Sequence, residues 1–179
     1  MYNELEISDI NVTSPRLRKP NIEDGEQSKY VVIKISVRNN SKNTYQVISS
    51  LRGLRYDSAN RILLIMLSEP ESDNNVPVYF KKLDPKIRVI LPEETIILKV
   101  SVPLIINEIQ LSEGSGLGLN ILKLDISDLQ QISCTISYDI YSVQSKSDDT
   151  VEKASALIEW SQNVKKTFEQ KIPNELRYP

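Results

Sequence analysis

The strongest constraint on the fold of this chain is a period-two alternation of apolar and polar side chains. The pattern is cleanest in residues 132–140 and recurs in residues 31–37 and 96–102. Successive side chains of a β-strand point to opposite faces of a sheet, so each segment predicts a strand with one face in a core. The residues predicted to fill that core are Ile33, Ile35, Val37, Leu98, Val100, Ile136 and Tyr138.

Shorter segments separated by turn signals have the same strand-like composition. They are residues 5–12, 45–51, 54–56, 61–67, 78–80, 87–91, 105–111 and 117–126. Turn residues 57–60 and 113–116 predict two hairpins, and the apolar run 62–67 predicts a strand covered on both faces. Half-exposed antiparallel sheets produce alternation of this kind. The chain is therefore predicted to be mostly β, with the architecture of an antiparallel β-sandwich.

The hydrophobic period changes near the end of the chain. One helical stripe contains Leu157, Trp160, Val164, Phe168 and Ile172. Asp149 suits the N-cap with Glu152 in capping-box position, and Pro173 disfavours helical geometry at the residue before it. This pattern predicts a C-terminal amphipathic helix. It divides the chain into a β-sandwich domain, residues 1–147, and a helix with a tail, residues 148–179.

The apolar stripe of this helix has to be buried, because an isolated helix of this kind is only marginally stable in water. Two sites are open. The helix packs across its own sandwich, or it docks into a partner's groove or against a second copy as helix-in-groove binders do. On the second alternative, the partner-binding candidates are Leu157, Trp160, Val164, Phe168, Leu176 and Tyr178.

Composition excludes several classes of function. The 179 residues contain no histidine, so Ser-His-Asp and Cys-His catalysis and His-ligated zinc are ruled out. The formal charge of −2, from 22 basic and 24 acidic residues, indicates no nucleic-acid footprint. The longest apolar run is far short of the roughly 18 residues that a membrane span needs. With an acidic, alternating start and one cysteine, a cytoplasmic protein is expected, a removed signal peptide being the alternative.

Motifs that could carry chemistry have simpler structural interpretations here. The glycines of residues 114–118 precede a strand-like segment, which favours a hairpin tip over a phosphate loop. The acidic groups are Glu69, Glu71, Asp73, Glu93, Glu94, Asp125, Asp128, Asp148 and Asp149, and none matches a calcium loop. Cys134 lies on the inward parity of a strand. Tyr138 follows a corner, as does the tyrosine that pins a corner in some sandwiches, and a structural role is expected for it rather than a binding one. No catalytic residue, cofactor or metal site is predicted.

Two segments resemble a known family. Residues 30–41 (YVVIKISVRNNS) and 91–103 (LPEETIILKVSVP) are similar to strands of small bacterial immunoglobulin-like (telokin-like) sandwich domains of unknown function. The resemblance covers about residues 5–103 and implies an immunoglobulin-like fold, without an activity or functional residues. Residues 104–125 and the C-terminal segment depart from that family.

Three functions are compatible with this sequence. The first is a non-enzymatic protein-interaction or structural module, a subunit or adaptor of a larger assembly. The second is a carbohydrate or small-ligand binding sandwich, which an exposed aromatic row would favour. The third and weakest is a hydrolase that works with two carboxylates alone. The absence of a recognisable catalytic constellation favours the first.

Overall fold

The computed structural model describes residues 4–17, 29–68, 85–111, 119–141, 160 and 162–174. These residues are mostly β, as predicted, and include no helix. No helix within them is long and apolar enough to cross a membrane. The strands are β1 (Leu5–Val12), β2 (Arg16–Leu17), β3 (Lys29–Asn39), β4 (Tyr45–Ile48), β5 (Gly53–Asp57), β6 (Ile62–Leu67), β7 (Ile87–Ile90), β8 (Thr95–Pro103), β9 (Ile105–Leu111), β10 (Leu119–Asp125), β11 (Gln131–Ile140) and β12 (Gln162–Glu169).

The first sheet has four strands arranged around β3, which pairs antiparallel with β1, β2 and β8. The register of β1 against β3 shifts between Ile7 and Asp9. A bulge of this kind returns the apolar side chains that follow it to the inner face, which is why Ile10 is buried although its parity differs from that of Ile7.

The second sheet has six strands arranged around β11, which pairs with β4, β6 and β12. The pairing of β6 with β11 is parallel, so the prediction of a purely antiparallel fold is wrong for this pair. Ile62, Leu64 and Met66 are half-buried and alternate with fully buried neighbours. The apolar run of β6 therefore reflects a strand inside a sheet with both faces partly covered, the setting in which parallel pairs occur.

Both of these sheets contribute to one hydrophobic core, as does Ile106 of β9, which pairs with β10 in a third, two-stranded sheet. Every residue predicted for this core is buried, with at most 6% of its surface exposed. The buried edge-to-face contact of Tyr45 with Tyr138, whose ring centroids lie 5.5 Å apart, belongs to the same core. The hairpins predicted around residues 57–60 and 113–116 are also confirmed, as the antiparallel pairs β5–β6 and β9–β10.

The predicted C-terminal helix is wrong where the structure describes that segment. Residues 162–169 form β12, which pairs antiparallel with β11. The apolar positions 160, 164, 168 and 172 are four apart, a spacing that fits one stripe of a helix and also one face of a strand. The unpaired edge of β11 decides between the two, because tertiary pairing overrides local periodicity. The boundary at 147/148 and residues 148–159 lie outside the described residues.

Contacts with β1 hold β12 in place as well. Lys166 forms an ion pair with Glu6, with 3.0 Å between Nζ and Oε1. The side chain of Gln170 donates a hydrogen bond to the carbonyl of Ile10 at 2.7 Å. Since β1 belongs to the first sheet and β12 to the second, these contacts link the two sheets.

Substitution of Ile136 tests the core. Ile136 is fully buried, whereas Ile140, on the same strand and the same parity, is 51% exposed. We expect Ile136→Ala to lower the free energy of unfolding by about 2–5 kcal/mol, from lost burial and a residual cavity. Ile140→Ala, the matched control, is expected to change it by about 0.5 kcal/mol or less. Denaturant titration measures both, and equal losses would contradict the assigned faces of β11.

Proline scanning of β12 distinguishes a strand from a helix. The amide of Gln170 donates to the carbonyl of Gln130. The even-numbered residues of β12 therefore direct their backbone N–H and C=O groups to β11, and the odd-numbered residues direct theirs outward. We expect Lys165→Pro to be tolerated, because its N–H points away from the ladder. Lys166→Pro should destabilise the protein beyond Lys166→Ala, which removes only the ion pair. Equal losses from both prolines, measured by thermal unfolding, would indicate a helix.

Candidate functional site

An edge strand of each sheet, away from the β1–β12 contact, forms the candidate site. There β7 pairs with β4 and β8 pairs with β3, and neither has a second neighbour among the residues described. A turn over residues 91–94 joins the two strands, with Pro92 at a position that favours proline. Glu93 adopts a left-handed φ of 60°. The carboxylate of Glu94 accepts a hydrogen bond from the amide of Leu91 at 2.8 Å.

The buried side chain of Asn39 fixes this turn to the end of β3. Its amide nitrogen donates to the carbonyl of Leu91 at 3.0 Å and to that of Asn43 at 2.7 Å. Its carbonyl oxygen accepts from the backbone amide of Ser41 at 3.0 Å. One fully buried amide group thus anchors both the turn before β8 and the connection between β3 and β4.

The backbone groups along β8 divide into two sets. The carbonyl of Glu94 accepts from the amide of Asn39, and the amide of Leu104 donates to the carbonyl of Lys29. Because bonded pairs alternate in an antiparallel ladder, the even-numbered residues of β8 direct their N–H and C=O groups to β3. Thr95, Ile97, Lys99 and Ser101 direct theirs outward. Pro103 ends the strand on the outward parity, where a missing N–H costs no ladder bond.

A shallow groove of about 620 Å³ runs beside this edge, lined by residues 94–99, Ser49 and Arg88. The guanidinium of Arg88, on β7, donates to the outward carbonyl of Ile97 at 3.1 Å. Two apolar side chains of this region are exposed: Ile97, in the groove lining, at 50%, and Leu91, in the turn before β8, at 56%. The site therefore offers extended backbone, apolar surface and cationic groups along one line.

On the opposite side of the molecule, side-chain contacts link β12 to β1. The hydrogen bond from Lys166 lowers the pKa of Glu6 below its usual value, with a smaller contribution from the side chain of Asn40. The lowered pKa reflects stabilisation of the charged carboxylate by these contacts. Together with the bond from Gln170, this contact links the edges of the two sheets.

The predicted partner-binding residues are divided by the structure. Val164 lies in the protein's own core with 4% of its surface exposed, opposite Ile136. Trp160 and Phe168 are half-buried and pack against that core. Leu157, Leu176 and Tyr178 lie outside the described residues. The role of this set in binding a partner stays a prediction.

The corner at residues 125–128 contains polar contacts that stabilise the fold. The carboxylate of Asp125 accepts from the amide and the hydroxyl of Ser127, which lowers its pKa. Asp128 accepts from the hydroxyl of Tyr56 at 2.5 Å and pairs with Arg61 at 3.4 Å. Burial, followed by the bond to Asp128, raises the pKa of Tyr56.

The tyrosine at this corner is therefore Tyr56. Tyr138 is buried in the core, as expected of a structural tyrosine, but no described contact joins it to the corner. Tyr138 lies near the far end of β11, where it packs against Tyr45. Sequence proximity does not identify Tyr56, because it reaches the corner from β5, across the sheet.

Other groups with chemical potential have structural surroundings. Cys134 is fully buried, and burial raises the pKa of its thiol to about 12, which suppresses the thiolate. Within the described ranges, no group of three or more Cys, Asp or Glu side chains is placed to hold a metal ion. Among described aromatic side chains, Tyr141 is the exposed one, at 40%. Glycines 114–118 and acidic residues 69, 71, 73, 148 and 149 lie outside the described residues.

Sequence reasoning identified β8 as a strand and missed that it is an edge. One signal was present, because Pro103 at the end of a strand is compatible with an edge and unfavourable inside a sheet. The cross-strand neighbours of β8 depend on the whole fold, and no local pattern encodes them.

Hydrogen exchange followed by NMR tests the open edge. We expect the amides of Ile97, Lys99 and Ser101 to exchange at least about tenfold faster than those of Leu98 and Val100, because only the latter two bond to β3. The even-numbered amides serve as the internal control. Uniform slow exchange along β8 would show that its outer edge is paired in solution.

Comparison with known protein families, curated proteins and solved structures yields no match to this chain. Its function is therefore argued from the geometry of the β8 edge.

Proposed function

We propose that this protein is a non-enzymatic interaction module with an immunoglobulin-like β-sandwich fold, which binds an extended segment of a partner protein by strand addition to β8. The observation that carries the proposal is the row of outward backbone groups at Thr95, Ile97, Lys99 and Ser101. An added strand satisfies such a row through main-chain hydrogen bonds, and side-chain contacts supply specificity.

The length and shape of β8 suit this mode of binding. Its nine residues follow the alternating burial of a regular strand, so successive outward groups lie along one straight line. The inner side chains of β8 are buried in the core, which holds the strand rigid before a partner arrives. Rigid preorganisation lowers the entropic cost of association.

The immunoglobulin-like part of the proposal is supported by the placement of the two family-like segments. Residues 30–41 contain most of β3, and residues 91–103 contain the turn and all of β8. The two strands are neighbours in the first sheet, and that sheet shares one core with the second. Two sheets over a common core are the basis of this architecture.

The non-enzymatic part of the proposal rests on the sequence, and so does a cytoplasmic location, which the single cysteine favours. The absence of histidine removes the usual general base, and no catalytic motif replaces it. The carbohydrate alternative would be favoured by an exposed aromatic row. The exposed aromatic within the described ranges is Tyr141, which lies just after the end of β11.

Proline at Ser101 tests strand addition. Ser101→Pro removes an outward N–H and places a ring at the edge, whereas Ser101→Ala keeps the backbone donor. Ten-residue peptides selected from a display library on the wild-type protein are titrated against both variants by calorimetry. We expect about tenfold or greater loss of affinity for Ser101→Pro and little change for Ser101→Ala, from a lost hydrogen bond and steric exclusion.

Both variants should unfold within a few degrees of the wild type, because neither touches the bonds between β8 and β3. Binding that is unaffected by Ser101→Pro would refute strand addition at β8. Binding to a glycan panel, equally unaffected by this substitution, would favour the carbohydrate alternative.

A further inference from the structure

Two lysines face each other across the outer face of the first sheet. Lys34 on β3 and Lys99 on β8 are directly opposite in the register, and both side chains are exposed. The ion pairs among the described residues are Glu6–Lys166 and Arg61–Asp128, and neither includes these lysines. Like charges placed directly opposite on adjacent strands repel each other, so this pair is unfavourable in the isolated protein.

The register places no acidic residue next to Lys99. Lys34 is opposite Asn11 on β1, and Asp9 is opposite Ser36, on the far side of β3 from Lys99. Arg88 adds a third cation at the groove, whose lining contains one carboxylate, that of Glu94. The edge is therefore locally cationic, although the whole chain carries a formal charge of −2.

A second copy of this chain is a poor occupant of such an edge. Two β8 strands paired antiparallel about a twofold axis would join their outer faces into one sheet. The Lys34–Lys99 pairs of both copies would then lie on a single continuous face, and the register centred on Lys99 would put the two Lys99 side chains opposite each other. Lysine on an edge strand is a known device against pairing of this kind.

We propose that the segment added to β8 carries an acidic side chain at the position opposite Lys99, so that a carboxylate on the outer face completes the unpaired Lys34–Lys99 row. This inference rests on the proposed function and specifies the chemistry of the partner. An added strand alternates its side chains between two faces, so the residues that share the outer face with this carboxylate stand at alternate positions of the segment. The same carboxylate draws the segment toward the locally cationic edge before the backbone bonds form.

Three peptides of ten residues test this charge preference: alternating valine and glutamate, and its counterparts with glutamine or lysine in place of glutamate. Calorimetric titration at low and at physiological salt measures their affinities. We expect the glutamate peptide to bind most tightly and the lysine peptide most weakly, with about fivefold between them or more. The difference should shrink as salt increases, because exposed charges are screened.

Charge-reversal variants test whether the preference for the acidic peptide depends on Lys99. Lys99→Glu should invert the order of the three peptides, whereas Lys165→Glu should leave it unchanged. Lys165 is a matched control because it is also an exposed lysine on an edge strand, β12, in the other sheet. Equal weakening by both reversals would indicate general attraction to the protein's charge, and would overturn the inference.

The remaining outcomes separate this inference from the function on which it rests. If the three peptides bind equally and Ser101→Pro still abolishes binding, strand addition stands and the acidic preference is wrong. If no binding depends on Ser101, both fail. Self-association of the wild-type protein in sedimentation, lost in Ser101→Pro, would show that the occupant is a second copy and would also overturn the inference.

Discussion

The pairing of β12 with β11 is the interaction on which the rest of the arrangement depends. It places the last described strand at the edge of the second sheet, opposite Gln131–Tyr138, so that Val164 enters the core and Lys166 reaches Glu6 on the first sheet. Contacts between their edges thereby link the two sheets on one side. β7 and β8 are also edges among the described residues, and the candidate site lies beside them.

Local periodicity accounts for most of the fold because most of it is made of half-buried strands. The alternation in β3, β8 and β11 identifies each strand and its inner face, and the predicted core residues are all buried. Each inner residue contributes to the same core independently of which strand lies beside it. For this reason the buried face of a strand can be predicted from sequence even when the strands that pair with it cannot.

The failures share one physical origin, which is that strand pairing is non-local. A stripe with apolar residues four apart describes a helix and a strand equally well, and only the edge of β11 decides for β12. The same holds for the parallel pairing of β6 and for Tyr56, which reaches the corner across a sheet. The candidate site is the extreme case. From the sequence alone, Lys99 and Arg88 are ordinary surface charges. Only the structure shows that they lie beside an edge, because β8 has one neighbour among the described residues.

Protection of an edge and recognition by that edge use the same side chains. Arg88 occupies the outward carbonyl of Ile97, and Lys99 opposes Lys34, so an apolar or basic strand meets an occupied acceptor and an uncompensated cation. Both features oppose indiscriminate pairing, which is the hazard of any exposed edge. An acidic strand is favoured instead, because a carboxylate reduces the repulsion between Lys34 and Lys99 and offers Arg88 an alternative acceptor. Specificity then arises from the repulsion of wrong partners as much as from attraction of the right one.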